Sequence, residues 1–126
     1  MKAKNYAFKE LKDKNDKEDF VEFLRHQTTA EYGGNQIFDG GRSHLMHIPE
    51  ELADFIFFLK QHEKKFEKKI KNFLEIGFSS GKTNTILNKF FNFEQIVAVD
   101  NFTAHISTDD LWANLMRKKL VLISGN

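Results

Sequence analysis

The chain has 126 residues, room for a single domain, and 40% of them are apolar, enough to bury a core to which fourteen Phe bring most of the aromatic volume. Its 19 basic and 18 acidic side chains leave a net charge of +1, so the overall balance draws it toward neither nucleic acid nor an anionic membrane. Zero cysteines exclude disulfides and thiolate metal sites, in keeping with a reducing compartment. The start, Met1 to Asn5, has no apolar stretch of the signal-peptide kind. No apolar run reaches the roughly 18 residues of a membrane span. These features predict a soluble, cytoplasmic protein with no membrane or nucleic-acid partner.

Residues 1–15 are polar and Lys-rich, with Tyr6, Phe8 and Leu11 as the only anchors, and predict a mobile start. Asp16 is the expected N-cap of a short helix over about 16–28, with Glu18 and Asp19 in its first turn and Phe20, Phe23 and Leu24 at helical spacing. Tyr32-Gly33-Gly34-Asn35 and Asp39-Gly40-Gly41-Arg42 then place four glycines within nine residues, which predicts a loop. Pro49, followed by Glu50 and Glu51, reads as a helix start. Leu52, Phe55, Ile56 and Leu59 continue it as an i, i+3, i+4, i+7 stripe, widened by Phe57 and Phe58, to about residue 63. The charge-rich run Glu63 to Lys69 is a solvated helix face or, alternatively, a local basic patch.

From Ile70 the pattern changes. Short apolar runs at 73–76, 96–99 and 120–123 alternate with helical stretches near 81–91 and 108–118. That alternation predicts parallel β/α units, with strands apolar on both faces as a helix-covered sheet requires. Right-handed crossovers place both helices on one face if the strand order runs outward from the first strand. No helix follows the third strand within the 126 residues. A doubly wound sheet usually has about five strands or more, so the expectation is half of such a domain, or a small fold completed by the N-terminal helices or by a second copy.

The densest signal is Asn72-Phe73-Leu74-Glu75-Ile76-Gly77-Phe78-Ser79-Ser80-Gly81. An apolar run stops at an acid, passes two glycines four apart and opens into a helix. Nineteen residues after Gly81, the run Ile96 to Val99 ends on Asp100. Strand, glycine turn, helix, strand, acid is the layout of a nucleoside-cofactor site. The glycines let the backbone turn sharply and a ligand approach without meeting a Cβ. The N–H groups near Ser80 to Thr83 favour partial negative charge. Asp100 can accept both hydroxyls of a ribose, and Glu75 can hold a cationic amine. A ribose, an ammonium and a carboxylate occur together in S-adenosylmethionine.

On these residues the chain resembles a known family. Phe73 to Gly81 looks like the first motif of class I S-adenosylmethionine-dependent methyltransferases, and Val97-Ala98-Val99-Asp100 looks like their second. Ser124-Gly125-Asn126 is similar to the end of their third strand, where an acidic or amide residue often contacts adenine. His44 to Ala53 resembles the lead-in helix of a bacterial subset that groups with small-molecule and sugar methyltransferases and with cephalosporin hydroxylase-like proteins. The resemblance covers about residues 44–126 and the N-terminal half of the family's domain. Ser79 stands where the commonest form of the first motif has its middle glycine, and serine is common there in the subset. The resemblance implies an α/β fold, a partial Rossmann-like three-layer sandwich of three parallel strands preceded by two N-terminal helices. Residues 1–69 would be the helical lead-in and 70–126 the first half of the cofactor domain. It implies S-adenosylmethionine as cofactor, bound by Glu75, Gly77, Phe78, Ser79, Ser80, Gly81, Asp100, Asn101 and Asn126, with Glu75, Gly77 and Gly81 around the methionyl part, Asp100 at the ribose and Asn126 near adenine. The methyl acceptor would be a small molecule or sugar, with a homodimer as an open assembly. No catalytic base is identified, because the family's fourth motif falls beyond residue 126.

Other readings remain. Gly77 to Thr83 mimics a phosphate-binding P-loop with Lys82 and Thr83 at the helix start, but three residues, not four, separate its glycines. A dinucleotide fingerprint fails at Ser79 and Lys82. The glycines could serve only a tight β–α turn, with Asp100 capping a turn. His44 and His47 are spaced as two metal ligands or pack structurally, and no metal site is assigned. His105, Asp109 and Asp110 could form a cation site or a base, or the acids could favour a helix N-terminus capped by Ser107 or Thr108. Trp112 and Leu115 suit a core or an adenine-stacking face. Gly40-Gly41-Arg42 suits a surface loop or a lid. A non-catalytic interaction or dimerisation module is the alternative from a different class.

Overall fold

The computed structural model describes residues 2–30, 33–38, 48–77, 81–100 and 120–124. In chain order these form a 3-10 turn at Ala3–Asn5, α1 (Lys14–Arg25), β1 (Thr28–Ala30), β2 (Gly33–Gln36), α2 (Pro49–Phe66), β3 (Asn72–Ile76), α3 (Lys82–Phe90), β4 (Gln95–Asp100) and β5 (Leu120–Ser124). The protein is α/β, with β3, β4 and β5 in one parallel sheet and in that spatial order.

The polar N-terminal stretch is not the loose tail its composition predicts. Tyr6 lies 4.7 Å from Phe23 and 5.2 Å from Phe20, and Phe8 lies 5.9 Å from Phe90, measured between ring centroids. Ala3 is buried, and Leu11 packs against the same core. A few apolar side chains suffice because each is an aromatic or aliphatic group laid on a surface that is itself aromatic. Helix α1 starts earlier than expected. Asp13, not Asp16, is the N-cap, and its carboxylate accepts the Asp16 N–H at 2.9 Å. Asp16 reaches back to the Lys12 N–H at 3.2 Å, so the two acids share the capping work in the manner of a capping box.

The glycine-rich segment expected as loop contains β2, which pairs antiparallel with β1. Gly34 has φ +98°, a conformation open to glycine, in the stretch where the β1–β2 register shifts. Ile37 leaves the hairpin to enter the core, and its N–H donates to the Gln27 carbonyl at 3.1 Å.

Helix α2 has Pro49 in its first turn with Glu50 and Glu51 behind it, and runs to Phe66 before Glu67 closes it at φ +49°. Its inner stripe is Leu52, Ala53 and Ile56, against Phe20 and Leu24 of α1 in one buried cluster. Arg25–Glu50 and Lys17–Asp54 ion pairs tie the two helices at the rim, each worth about 0–1 kcal/mol in so exposed a setting. At its far end, Glu63 is buried and accepts the Ile70 N–H at 2.8 Å, which fixes the approach to β3. Lys60 stands 3.4 Å from Glu63 and 4.4 Å above the Phe91 ring. Burial pushes the Lys60 ammonium below its ordinary range, and Glu63 opposes that shift.

The sheet has two unlike faces. Register pairs Phe73 with Ile96, Glu75 with Ala98, and Ile76 with Val99. Side chains alternate between faces, so Phe73, Glu75, Ile96, Ala98 and Asp100 share one face. The core lies on this face: Ile96 and Ala98 are buried, and Phe73 packs against the cluster that holds Ile86, Leu87, Phe90, Phe91 and Phe93. The opposite face is open: Leu74 is 62% exposed, Ile76 81%, and Val121 and Ile123 47% each. Among the described residues, the expectation of a sheet covered on both faces is therefore not met. The outward order β3-β4-β5 is the one under which right-handed crossovers put successive helices on a single face. The second of those expected helices, 108–118, lies outside the described residues.

Candidate functional site

At the carboxyl end of β3, Gly77 turns the chain with φ +87°, and its N–H donates to the Val99 carbonyl of β4 at 2.8 Å. A Cβ placed on Gly77 would meet nothing within 4 Å. Glycine is thus required here by backbone conformation rather than by crowding, and the space beside it is open. Gly81 supplies the second bend at φ +80° and is the N-cap of α3. It offers no side chain to the helix, and no acid stands in the first turn. Its carbonyl accepts both the N–H and the Oγ1–H of Thr85, at 2.8 and 2.7 Å. The first N–H groups of α3 have no acceptor inside their own helix, and the aligned backbone dipoles favour negative charge there.

Two carboxylates flank this bend. Extending the β3–β4 register by one residue sets Gly77 opposite Asp100, one strand spacing of about 4.8 Å away. Glu75 lies one pleat back on the same face. Its pKa is pushed up to about 7, chiefly by burial; a hydrogen bond from Asn84 pulls the other way, and the charge of Asp100 adds a smaller rise. A cation placed between the two acids would offset their mutual repulsion and the cost of charging Glu75 in a partly buried position.

Compared with protein-family models, with curated proteins and with solved structures, the chain matches none.

Of the residues singled out in the sequence, Glu75, Gly77, Gly81 and Asp100 converge on one end of the β3–β4 pair. Phe78, Ser79, Ser80, Asn101 and Asn126 lie outside the described residues. So do His44, His47, His105, Asp109, Asp110, Trp112, Leu115 and Gly40-Gly41-Arg42. Among the described residues, no three His, Asp or Glu side chains gather as a metal-ligand set. Lys82, which a P-loop would present to a phosphate, is buried.

The sequence reading missed Asn84 and Asn88. Asn84 is fully buried, and its Nδ2 donates to Glu75 Oε1 at 3.4 Å. Asn88, also buried, donates its own Nδ2 to Asn84 Oδ1 at 2.9 Å and to the Asn84 carbonyl at 3.0 Å. Two amides four apart in a helix otherwise built on Ile86, Leu87 and Phe90 were the available signal.

Proposed function

We propose that this chain binds S-adenosylmethionine at the carboxyl ends of β3 and β4, as the cofactor-binding half of a Rossmann-like methyltransferase with a partial three-layer sandwich. The observation that carries this reading is the pair of carboxylates, Glu75 and Asp100, on one face beside the open bend at Gly77. The donor set suits the ligand. Asp100 is a two-oxygen acceptor for the ribose hydroxyls. Glu75 is an acceptor for the methionyl ammonium. The first N–H groups of α3 suit the methionyl carboxylate.

When bound, the cofactor supplies a methyl group on a sulfonium, an electrophile that a nucleophile displaces in line. The chain's contribution is alignment. Gly77 admits the ligand close to the backbone. Holding both reactants in a near-attack geometry is worth far more to such a reaction than any single contact. A small molecule or sugar is the acceptor class, on the resemblance of residues 44–126.

Calorimetric titration with S-adenosylhomocysteine tests the reading. Saturable binding at micromolar concentration, weakened about tenfold or more by Asp100→Ala, is the expected result; a charged hydrogen bond is worth that much. A folded chain that binds only at millimolar concentration, or whose binding ignores Asp100→Ala, would rule it out.

One observation favours a second reading, a non-catalytic dimerisation or interaction module. The apolar face of Leu74, Ile76, Val121 and Ile123 is open, and Phe55, Phe58 and Phe66 of α2 are also exposed. Exposed apolar surface of this kind can mark association sites. Under this reading the chain sediments as a dimer and ignores the nucleoside.

A further inference from the structure

Helix α3 carries its two amides where packing alone would prefer carbon. Asn is a poorer helix former than Leu or Ala, and both Asn84 and Asn88 are buried. Asn88 Oδ1 has no hydrogen-bond partner. A buried acceptor left unpaired is destabilising, so the arrangement is retained at a cost. The hydrogen bonds run one way. Asn88 Nδ2 must donate, because it faces two acceptors, the Asn84 carbonyl and Asn84 Oδ1. That fixes Asn84 with its oxygen toward Asn88 and its Nδ2 toward Glu75 Oε1. Turning either amide over would set oxygen against oxygen. The far end of the chain, Asn88, thus dictates what Glu75 receives at the near end: a donor.

We propose that Asn84, locked by Asn88, is a positioning residue that holds the Glu75 carboxylate in one orientation beside Gly77 and favours its ionised form. It touches neither cofactor nor acceptor and acts only through Glu75. The role rests on the functional reading above for its purpose, but not for its geometry. Among the described residues, the ionisable group acting on Glu75 is Asp100, whose negative charge opposes ionisation. The Asn84 amide is the counterweight on the inner side. A ligand ammonium would be the counterweight on the outer side.

The test follows the Glu75 carboxyl resonance by carbon NMR through a pH titration of the unligated full chain, assigned with Glu75→Gln. Loss of a hydrogen bond to a charged acceptor raises a carboxyl pKa by about one to two units. Asn84→Ala is expected to move the Glu75 midpoint upward by that amount, and Asn88→Ala, which frees the Asn84 amide to turn, to move it upward by less. Asn88→Ala is the informative variant should Asn84→Ala not fold. Calorimetry with S-adenosylhomocysteine runs alongside. Asn84→Ala is expected to bind about tenfold more weakly near pH 7 and to recover near pH 9, where Glu75 ionises again. A Glu75 midpoint that is the same in the wild type and in the folded variants overturns the proposal. Midpoints that move while no protein binds the nucleoside support the positioning role and remove the functional reading instead.

Discussion

Glu75 keeps a carboxyl group half-buried in a place with little to stabilise its charge, and that has a measurable consequence for folding. Its pKa rises from 4.5 to about 7 in the folded chain. The folded protein therefore holds the proton to a higher pH than the unfolded one. The contribution to stability is intact below pH 4.5 and is lost as the pH climbs through 7. Glu75→Gln, which cannot ionise, should match the wild type near pH 4. By pH 8 it should exceed it by as much as about 3 kcal/mol, as the linkage relation gives for such a shift. Urea unfolding at the two pH values checks this, and an equal difference at both would refute it. Gly77 makes a separate residue-scale prediction. With φ +87° and open space where a Cβ would go, Gly77→Ala should cost about 1–2 kcal/mol through backbone strain alone. A stability loss much beyond that in thermal melts would point to a clash the geometry does not contain.

At the scale of elements, some features were legible in the sequence because one physical signal dominated them. The three apolar runs became β3, β4 and β5 within a residue or so at each end, since short apolar segments bounded by polar turns have few other homes. Pro49 with two acids behind it marked the start of α2 for the same reason. The misses have equally local causes. Asp13 and Asp16 are both able to cap, and only the hydrogen bond to the Asp16 N–H decides between them. Glycines at 33 and 34 signal loop by composition, yet Gly33–Gln36 pairs with Thr28–Ala30. The N-terminal aromatics looked too sparse to matter. Their value lies in Phe90, which meets Phe8, Phe20 and Phe23 edge-on at 5.9 to 6.2 Å. Phe90→Ala should therefore cost about 3–5 kcal/mol, the usual toll for emptying a buried aromatic site. Phe8→Ala should cost a sizeable fraction of that, despite its place near the chain's start. Chemical denaturation of both variants provides the check, and a neutral Phe8→Ala would mean the N-terminal stretch does not pack in solution.

Among the described residues, the sheet is covered unequally on its two faces. A strand reading Leu74, Glu75, Ile76 or Ile96, Val97, Ala98, Val99 looks the same in sequence whether one face or both are buried. The open face could therefore not be read from apolarity alone. With Ile76 at 81% exposure and Leu74 at 62%, the sheet offers a surface that water solvates poorly. Concentration-dependent self-association is expected in sedimentation velocity, and Ile76→Lys should weaken it. An unchanged sedimentation profile for that variant would move the association surface elsewhere, with the exposed Phe55 and Phe58 of α2 as the next place to look. The candidate site was legible to a different degree. Spacing marked Glu75, Gly77, Gly81 and Asp100 as candidates for one strand end, because a glycine turn and a strand-end acid leave marks in a linear pattern. The amide chain behind Glu75 was not, because it depends on which helix face meets the strand.

The proposed binding is of a nucleoside cofactor in the space beside Gly77, across from Asp100. Its most direct test is a nitrogen–proton NMR titration of the full chain with S-adenosylhomocysteine. Saturable shifts concentrated at the amides of Gly77, Gly81, Lys82, Thr83 and Asp100 are the predicted result. Shifts confined to the Leu74 and Ile76 face, or none at saturating ligand, would contradict it.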